Sequence, residues 1–488
     1  MQRKSGARAT IFWAGPALAL LALAAAGCPG NRTAPAGGTA KPYDGVVLKV
    51  ACPGDPAAAA VGRYSRPWAA KTGAKVEVVR YDPAGDPPAA DAWVLAPAEM
   101  PRWAAAGKLL AVPDATRARD AAARWQGLLP LYRDRLLVWN HKTYAFPLLG
   151  EAPVCFYRAD LFEEQGKRPP ETWEAFADLA EHFQKTRKSP SLPPLPDSAD
   201  GLDRLFFTVA APFVRRAVRG DEQPPPPTEE MYSFHYDLKT GQPYLDAAGF
   251  VAGLRLLKRM QACRPEGASP APPEAFRDGK AVLCLADASW VARFQKSDAV
   301  RGKFGVCRVP GSARYYSYPN GTEVPVKEAN RLPYLGAAGW LAVVPKAAAN
   351  AEAALALLAE LTGPETSRQI VFEPEWGGGA LRPEQLERGA GWNSFGLDAA
   401  RQAELLSALR QSLEHPQAIN PALRLRTPDA RAKQRAVVEG VRAALAGGKE
   451  PAAALKAAAD RWRELDRAKG AGEPLTEYRV SLGIEPPR

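Results

Sequence analysis

Between Val46 and Pro113, short β-branched runs alternate with alanine-rich stretches of helical spacing, and this alternation restricts the fold more than any other feature of the chain. VVLKVAC (Val46 to Cys52), closed by Pro53-Gly54-Asp55-Pro56, has the form of a buried strand entering a loop. The following AAAAVGRYSRPWAAKTG carries spaced apolar residues and ends at Gly73, as a helix would. KVEVVRY alternates like a second strand, DAWVLAP (Asp91 to Pro97) supplies a third, and MPRWAAAGKLLAVP gives a helix and its exit. A strand that returns in the same direction must be carried across the sheet, so this order implies parallel strands with crossover helices.

Ahead of this pattern the sequence changes character. Arg3, Lys4 and Arg8 precede an uncharged run, Ile11 to Ala26, that ends in Gly27-Cys28, the layout of a signal peptide. Gly15 and Pro16 interrupt the run, which falls short of the roughly twenty apolar residues that cross a ~30 Å hydrocarbon core, so no permanent span is expected. Small residues leading to Cys28 resemble a lipobox, here AAGC. That predicts a signal peptide over 1–27, acylation of Cys28 and a flexible tether over 28–44, rich in Pro, Gly, Ala and Thr. Ala25 stands where a lipobox usually has Leu, and a second reading is open: an ordinary signal peptide cut in the alanine stretch, with Cys28 a free thiol. The formal charge of +11 includes three charges from Arg3, Lys4 and Arg8, so removing the leader leaves +8. This excess is dispersed among Asp and Glu rather than gathered in a stripe, which argues against nucleic acid as a partner. With 46% hydrophobic and 24% charged residues, the remainder has a globular composition.

Five further cysteines, Cys52, Cys155, Cys263, Cys284 and Cys307, show neither CxxC nor metal-ligand spacing, and an odd number cannot all pair. Cys155, Cys284 and Cys307 sit in apolar strand-like runs, where a thiol packs as a small hydrophobe. Thr172 opens a helix over WEAFADLAEHF, with Ala175, Phe176, Leu179 and Phe183 at helical spacing. Ala351 to Thr362 and Pro451 to Leu465 read as amphipathic helices. Two proline-rich stretches, SPSLPPLPD near 189 and QPPPPTEE near 223, are expected as surface loops that tolerate insertion.

Reactive constellations are missing. The four histidines, His141, His182, His235 and His415, lack HExxH or HxH spacing, and no GxSxG, GxxxxGK[ST] or strand-following GxGxxG occurs. Neither a metal, a cofactor nor a catalytic residue is therefore expected. Glu163–Glu164 and Glu229–Glu230 are adjacent acids that point apart, and Gly377-Gly378-Gly379 reads as a turn or as a close approach to a ligand. A glycan-acting hydrolase needs two converging acids, which leaves it open as an alternative.

Four blocks then resemble the family 1 extracellular solute-binding proteins, the maltose-binding type of importer receptor. In residues 146–183 the positions Tyr157, Asp160, Leu161, Phe162, Gly166, Pro170, Thr172 and Trp173 follow the family's Tyr-x-x-Asp-Leu-Phe, Gly and Pro-x-Thr-Trp pattern. EAFRDGKAVLCLADASWVARF, the Gly-Trp to long-helix block beginning YLGAAGW, and GGKEPAAALKAAADRWREL are similar to its later blocks in the same order, so the likeness spans roughly residues 45–467. The resemblance implies an α/β, two-lobed periplasmic-binding-protein type II fold, each lobe a mostly parallel sheet flanked by helices. Lobe 1 would hold 45–152 and 310–363, lobe 2 would hold 153–309 and 364–467, and 468–488 would form a C-terminal extension. It also implies a monomer that takes a small polar solute, a sugar or oligosaccharide, in the inter-lobe cleft and delivers it to an ABC importer permease, with the membrane reached through the N-terminal lipid. The same fold could instead take an anionic or peptide-like solute.

Sugars offer hydroxyls at their edges and C–H faces above and below, so their sites combine flat aromatics with charged or amide hydrogen-bonders. By family position, Trp290, after the run AVLCLA, is the expected stacking ring, and closing the core is its other reading. Glu151, just before the crossing strand, corresponds to an acid that faces the cleft. Asp55 and Glu99 follow the first and third strands and serve either the ligand or a helix start. Trp376 and Arg382 flank the glycine run in a loop that the family directs toward the cleft, whereas Trp173 and Trp340 are assigned to packing.

Overall fold

Val47–Pro53 lies inside a five-stranded sheet because Leu48, Val50, Ala51 and Cys52 are all buried, leaving it apolar on both faces. In the computed structural model, which describes residues 41–118, 121–217, 233–318, 320–332, 339–414 and 424–484, this strand pairs in parallel with Lys75–Tyr81 and Ala92–Leu95. Helices Asp55–Tyr64 and Arg66–Thr72 carry the first crossover, and Gly73, at φ 83°, ends it in the left-handed conformation that a Cβ would disfavour. The expected signal peptide, Cys28, the tether up to residue 40, the proline run near 223 and His415 lie outside the described residues.

Two strands from farther along complete this sheet. Gly339–Val343 runs antiparallel to both Ala92–Leu95 and Ala145–Gly150, giving the order 75–81, 47–53, 92–95, 339–343, 145–150. Four strands thus share one direction and the returning strand opposes them.

The second sheet departs from the mostly parallel expectation. Its order is Leu283–Asp287, Pro153–Arg158, Phe304–Cys307, and both outer strands run antiparallel to the middle one. The outer pair are parallel to each other and joined through Ala288–Trp290 and helix Val291–Gln295, so a crossover unit is present. Pro153–Arg158 arrives from the first sheet and splits that unit in the opposite direction. Strand–helix–strand order reveals the crossover but not the distant strand inserted into it.

Successive residues of Pro153–Arg158 enter different cores, as the two-residue period of a strand requires. Val154 and Phe156 join a core that runs from the first sheet to one face of the second, where Phe156 meets Phe276, Phe294 and Phe304, while Cys155 and Tyr157 join one built by helices Trp173–Arg187, Ala199–Val214, Ala248–Gln261, Ala430–Leu445 and Pro451–Lys469. Thr172 caps the first of these by accepting from the Ala175 amide at 3.2 Å. All five described cysteines are free thiols, although Cys155 and Cys307 stand opposite each other in the strand register. The unassigned C-terminal stretch forms helix Glu473–Ser481, and its buried Tyr478 hydroxyl accepts from the Phe234 and His235 amides at 3.0 Å each. No helix among the described residues is long and apolar enough to cross a membrane.

Candidate ligand-binding site

Gly150 ends one sheet and Pro153 begins the other, so Glu151 and Ala152 form the crossing between them. Glu151 accepts from Arg204 Nη1 at 2.6 Å, and Arg204 Nη2 reaches Asp287 Oδ2 at 3.4 Å. Arg204 comes from helix Ala199–Val214, and Asp287 closes a strand in register with Pro153. One guanidinium therefore holds two carboxylates from separate elements. Desolvation, and then the Asp287 charge, push the Glu151 carboxyl up to about 7, with Arg204 pulling the other way. Asp287 Oδ1 is buried and has no hydrogen-bond partner among the described residues. A buried acceptor left in that state is costly, which points to a donor arriving with a ligand.

Beside these groups lies a cavity of about 410 Å³ whose walls include Asp287, Trp290, Arg204, Arg264 and Arg293. Trp290 is half-buried, rests against Phe294 at 5.8 Å between ring centroids, and carries the Arg293 guanidinium 4.6 Å above its ring. Trp173, assigned from sequence to packing, is 1% exposed and also lines the cavity. Seven prolines, at 153, 193, 194, 196, 270, 272 and 273, complete much of the wall. The stretch near 189 is thus not a tolerant surface insertion: Ser191 and Leu192 are buried, and Arg264 donates to the Pro193 carbonyl at 2.7 Å. Proline suits such a wall because it has no N–H to leave unsatisfied and its backbone is stiff.

The other expected site residues are placed elsewhere. Asp55 is 87% exposed at its side chain and pairs with Arg80 in the first turn of its helix. Glu99 bonds Arg431 at 2.7 Å and lines a crevice of about 30 Å³ with Asp203, Arg424 and Gln434. Trp376 is buried in the first core, with Arg63 5.0 Å above its ring. Arg382 is 1% exposed and donates to the carbonyls of Ala123, Arg124 and Thr362, so its guanidinium is a backbone clamp. Neither Trp376 nor Arg382 borders the cavity. The glycine run is a close packing device: a Cβ on Gly379 would sit 1.8 Å from the Gly150 carbonyl oxygen, and one on Gly378 2.8 Å from the Ser289 amide nitrogen. Among the described residues no His, Cys, Asp and Glu side chains cluster as a metal site would require.

Residues 70–383 match the bacterial extracellular solute-binding proteins. The chain belongs to that family. Solved structures show the same fold at low identity. An ABC transporter solute-binding protein from Agrobacterium radiobacter K84 in complex with ribitol shares 19% identity at a TM-score of 0.67, over 87% of this chain and all of that one. One from Agrobacterium vitis S4 with bound D-mannitol shares 18%, with a TM-score of 0.63 over 86% of this chain and 99% of the other. Maltose-bound MalE3 of T. maritima shares 18%, with a TM-score of 0.62 over 86% of this chain and all of that one. The α/β architecture of this solute-binding protein is that of the type II binding-protein fold, and its two sheets are joined at Glu151–Ala152.

Proposed function

We propose that the protein captures a sugar or sugar alcohol outside the cytoplasmic membrane and delivers it to an ABC importer, without chemical turnover. The observation that carries this reading is the convergence of Trp290, Asp287 and Arg204 on one cavity, with Glu151 bound to Arg204 behind them. The indole face suits the C–H face of a sugar, and the charged groups suit its hydroxyls. Asp287 Oδ1, buried without a donor, is the acceptor that a solute hydroxyl would satisfy. Proteins of the same fold that hold ribitol, D-mannitol and maltose support this class. The cavity of about 410 Å³ also lies within the size range of small-molecule sites. Because Glu151 and Asp287 share one guanidinium, they do not resemble an acid and a base flanking a scissile bond, which favours capture over hydrolysis. A second reading rests on Arg264 and Arg293 at the same wall, which would suit an anionic solute such as a sugar acid.

At the N-terminus the proposal includes removal of 1–27, acylation of Cys28 and a tether through residue 44, followed by lobes drawn at 45–152 with 310–363 and at 153–309 with 364–467. Cys28→Ser should move the protein out of the membrane fraction, and mass spectrometry should find a diacylglyceryl adduct on the native terminus. An unlipidated terminus would overturn that part alone.

The binding reading is tested by a thermal-shift panel of ribitol, mannitol, maltose, hexoses and sugar acids, in which a true ligand at a hundred times Kd adds about 2.7 kcal/mol of stability. Trp290→Ala should weaken the hit by about 1 to 3 kcal/mol while leaving the ligand-free midpoint nearly unchanged. A steep fall of that midpoint with normal binding by the folded fraction would return Trp290 to the core, and hydrolysis of an oligosaccharide would replace the receptor by an enzyme.

A further inference from the structure

We propose that Cys155 and Cys307 are joined by a disulfide in the exported protein, a cross-link between the strand that leaves the Glu151–Ala152 crossing and the edge strand beside it. In the structure both are thiols, directly opposite each other in the antiparallel register. Both side chains lie on one face of the sheet: Cys155 belongs to the helix-built core and Cys307 packs against it, while Val306 and Phe156 turn to the other core. The Val306 amide donates away from the pair, to Glu404 at 3.2 Å, so the alternation of the ladder makes Cys307 and Cys155 a hydrogen-bonded pair. Opposed Cα atoms in such a pair are about 5.5 Å apart, within the commonest span of a disulfide. The other three described cysteines do not meet these conditions. Cys52 lies in the first sheet, Cys263 follows helix Ala248–Gln261 with its thiol 3.5 Å from Gln184 Oε1, and Cys284 faces the opposite core.

Two thiols so placed become a bridge by two exchanges with a disulfide oxidant, of the low-molecular-weight or protein class that acts outside the cytoplasm. Cys307, the less buried of the two, attacks one sulfur of the oxidant as a thiolate and displaces the other as a thiolate. Cys155 gives up its proton and attacks the Cys307 sulfur of the mixed disulfide, the Cys155–Cys307 bond forms, and the second oxidant sulfur leaves. The cysteines lose two protons and two electrons, which the oxidant takes up as two thiols. The Cys307 thiol beside it and burial both raise the Cys155 thiol well above its ordinary value, so the second step belongs to folding, before that side chain is enclosed. The bridge closes the chain from 155 to 307, a segment that contains every residue lining the Trp290 cavity except Pro153. A cross-link over so long a loop stabilises by constraining the unfolded chain. Export, on which the oxidant depends, is part of the function proposed above, whereas the pairing rests on the strand register and the shared face.

The test uses the full chain in two preparations. Protein produced with its own leader is extracted and denatured in N-ethylmaleimide without reductant and mapped by mass spectrometry. Protein refolded from the reduced, denatured state in glutathione disulfide is mapped in the same way. In both, a peptide pair linked through Cys155 and Cys307 is expected, with label on Cys52, Cys263 and Cys284. Reduction should lower the unfolding midpoint of the bridged wild type by roughly 5 °C and leave that of Cys307→Ser, at the less buried position, unchanged. Cys263→Ser should keep the bridge. The proposal is overturned if Cys155 and Cys307 are both labelled in the extracted protein, or if the bridge joins another pair. Pairing on refolding but not in the extracted protein would place that failure in export, and labelling in both preparations would place it in the geometry of the pair.

Discussion

Arg204 answers two carboxylates with one guanidinium, and the excess negative charge falls on Glu151. The groups that face Glu151 are Arg204, Asp287, Asp200 and Tyr132, and only the first favours its ionised form. Its folded value of about 7 lies above the ordinary 4.5, so its contribution to stability is complete below pH 4.5 and is lost as the pH rises through 7. Asp203, also buried, is pushed up to about 7 by desolvation and acts with the same sign. His235 is pushed down to about 3 by burial and acts oppositely, with an effect that fades as the pH rises past 6.5 and offsets part of the loss at the lower end of the interval. Between pH 6.5 and 8 the ligand-free protein should therefore lose stability on the order of 1 kcal/mol per raised carboxyl, and Glu151→Gln should remove about half of that loss. A solute hydroxyl that donates to Asp287 weakens the charge that opposes ionisation of Glu151, so affinity should rise over the same interval; paired thermal melts and calorimetry at the two pH values check both signs. A flat profile in the wild type would sink the argument. Glu151 and Trp290 were expected from the family resemblance; Trp290 lies on the cavity wall, and Glu151 stands behind Arg204 without lining it. Asp287 and Arg204 were not legible: Arg204 sits in DGLDRLFF, where a charge reads as solvent face, and its partners lie 53 and 83 residues away.

The strands and helices with a local period were readable, as Val46 to Cys52 and Ala351 to Thr362 show against the observed Val47–Pro53 and Ala351–Thr362. What escaped depended on distant packing. The prolines of 193–196 and 270–273 face one cavity only because Leu195–Pro196 pairs with Ala268–Ser269 across the second lobe. Gly377 to Gly379 looked like a flexible turn because sequence cannot show that Gly379 lies against the backbone of Gly150. The two can be separated by substitution. A Cβ at Gly379 would stand 1.8 Å from the Gly150 carbonyl oxygen and 2.8 Å from the Glu151 amide nitrogen, so Gly379→Ala must push the loop off the crossing. We expect a loss of about 3 kcal/mol in stability together with weaker ligand binding, because Glu151 shifts with the crossing. Gly448→Ala is the control, since its nearest neighbour is a carbonyl oxygen at an ordinary 3.6 Å, and it should change neither property. Equal behaviour of the two variants in denaturant melts would show that the glycine run is a turn and nothing more.

At the scale of the whole molecule, the lobes are tied by more than the crossing strands. Helix Ala430–Leu445 packs in the core of the second lobe, yet Arg431 in its first turn reaches out of that core. It donates to Glu99 at 2.7 Å and to the carbonyls of Ala84, Pro83 and Gly85 at 3.1 to 3.3 Å, all in the segment that follows strands of the first sheet. Five residues earlier, Arg426 donates to the carbonyls of Arg135, Leu136 and Val138. The crevice left where Glu99 meets Asp203 and Arg424 measures only about 30 Å³, so the two sides are in near contact there. In a receptor whose lobes close on a solute by hinge motion, such bonds favour the arrangement in which they form. Removing Arg431 leaves the first cavity untouched but lowers the fraction of molecules in that arrangement, and apparent affinity falls by the same fraction. Arg431→Ala should therefore enlarge the radius of gyration of the ligand-free protein in X-ray scattering and weaken solute binding about three- to tenfold, with saturating solute restoring the compact form. Arg80→Ala, which removes an exposed pair with Asp55 within the first lobe, should do neither. If the scattering profile and the affinity of Arg431→Ala both match those of the wild type, the arginine only decorates the interface, and closure rests on the crossings alone.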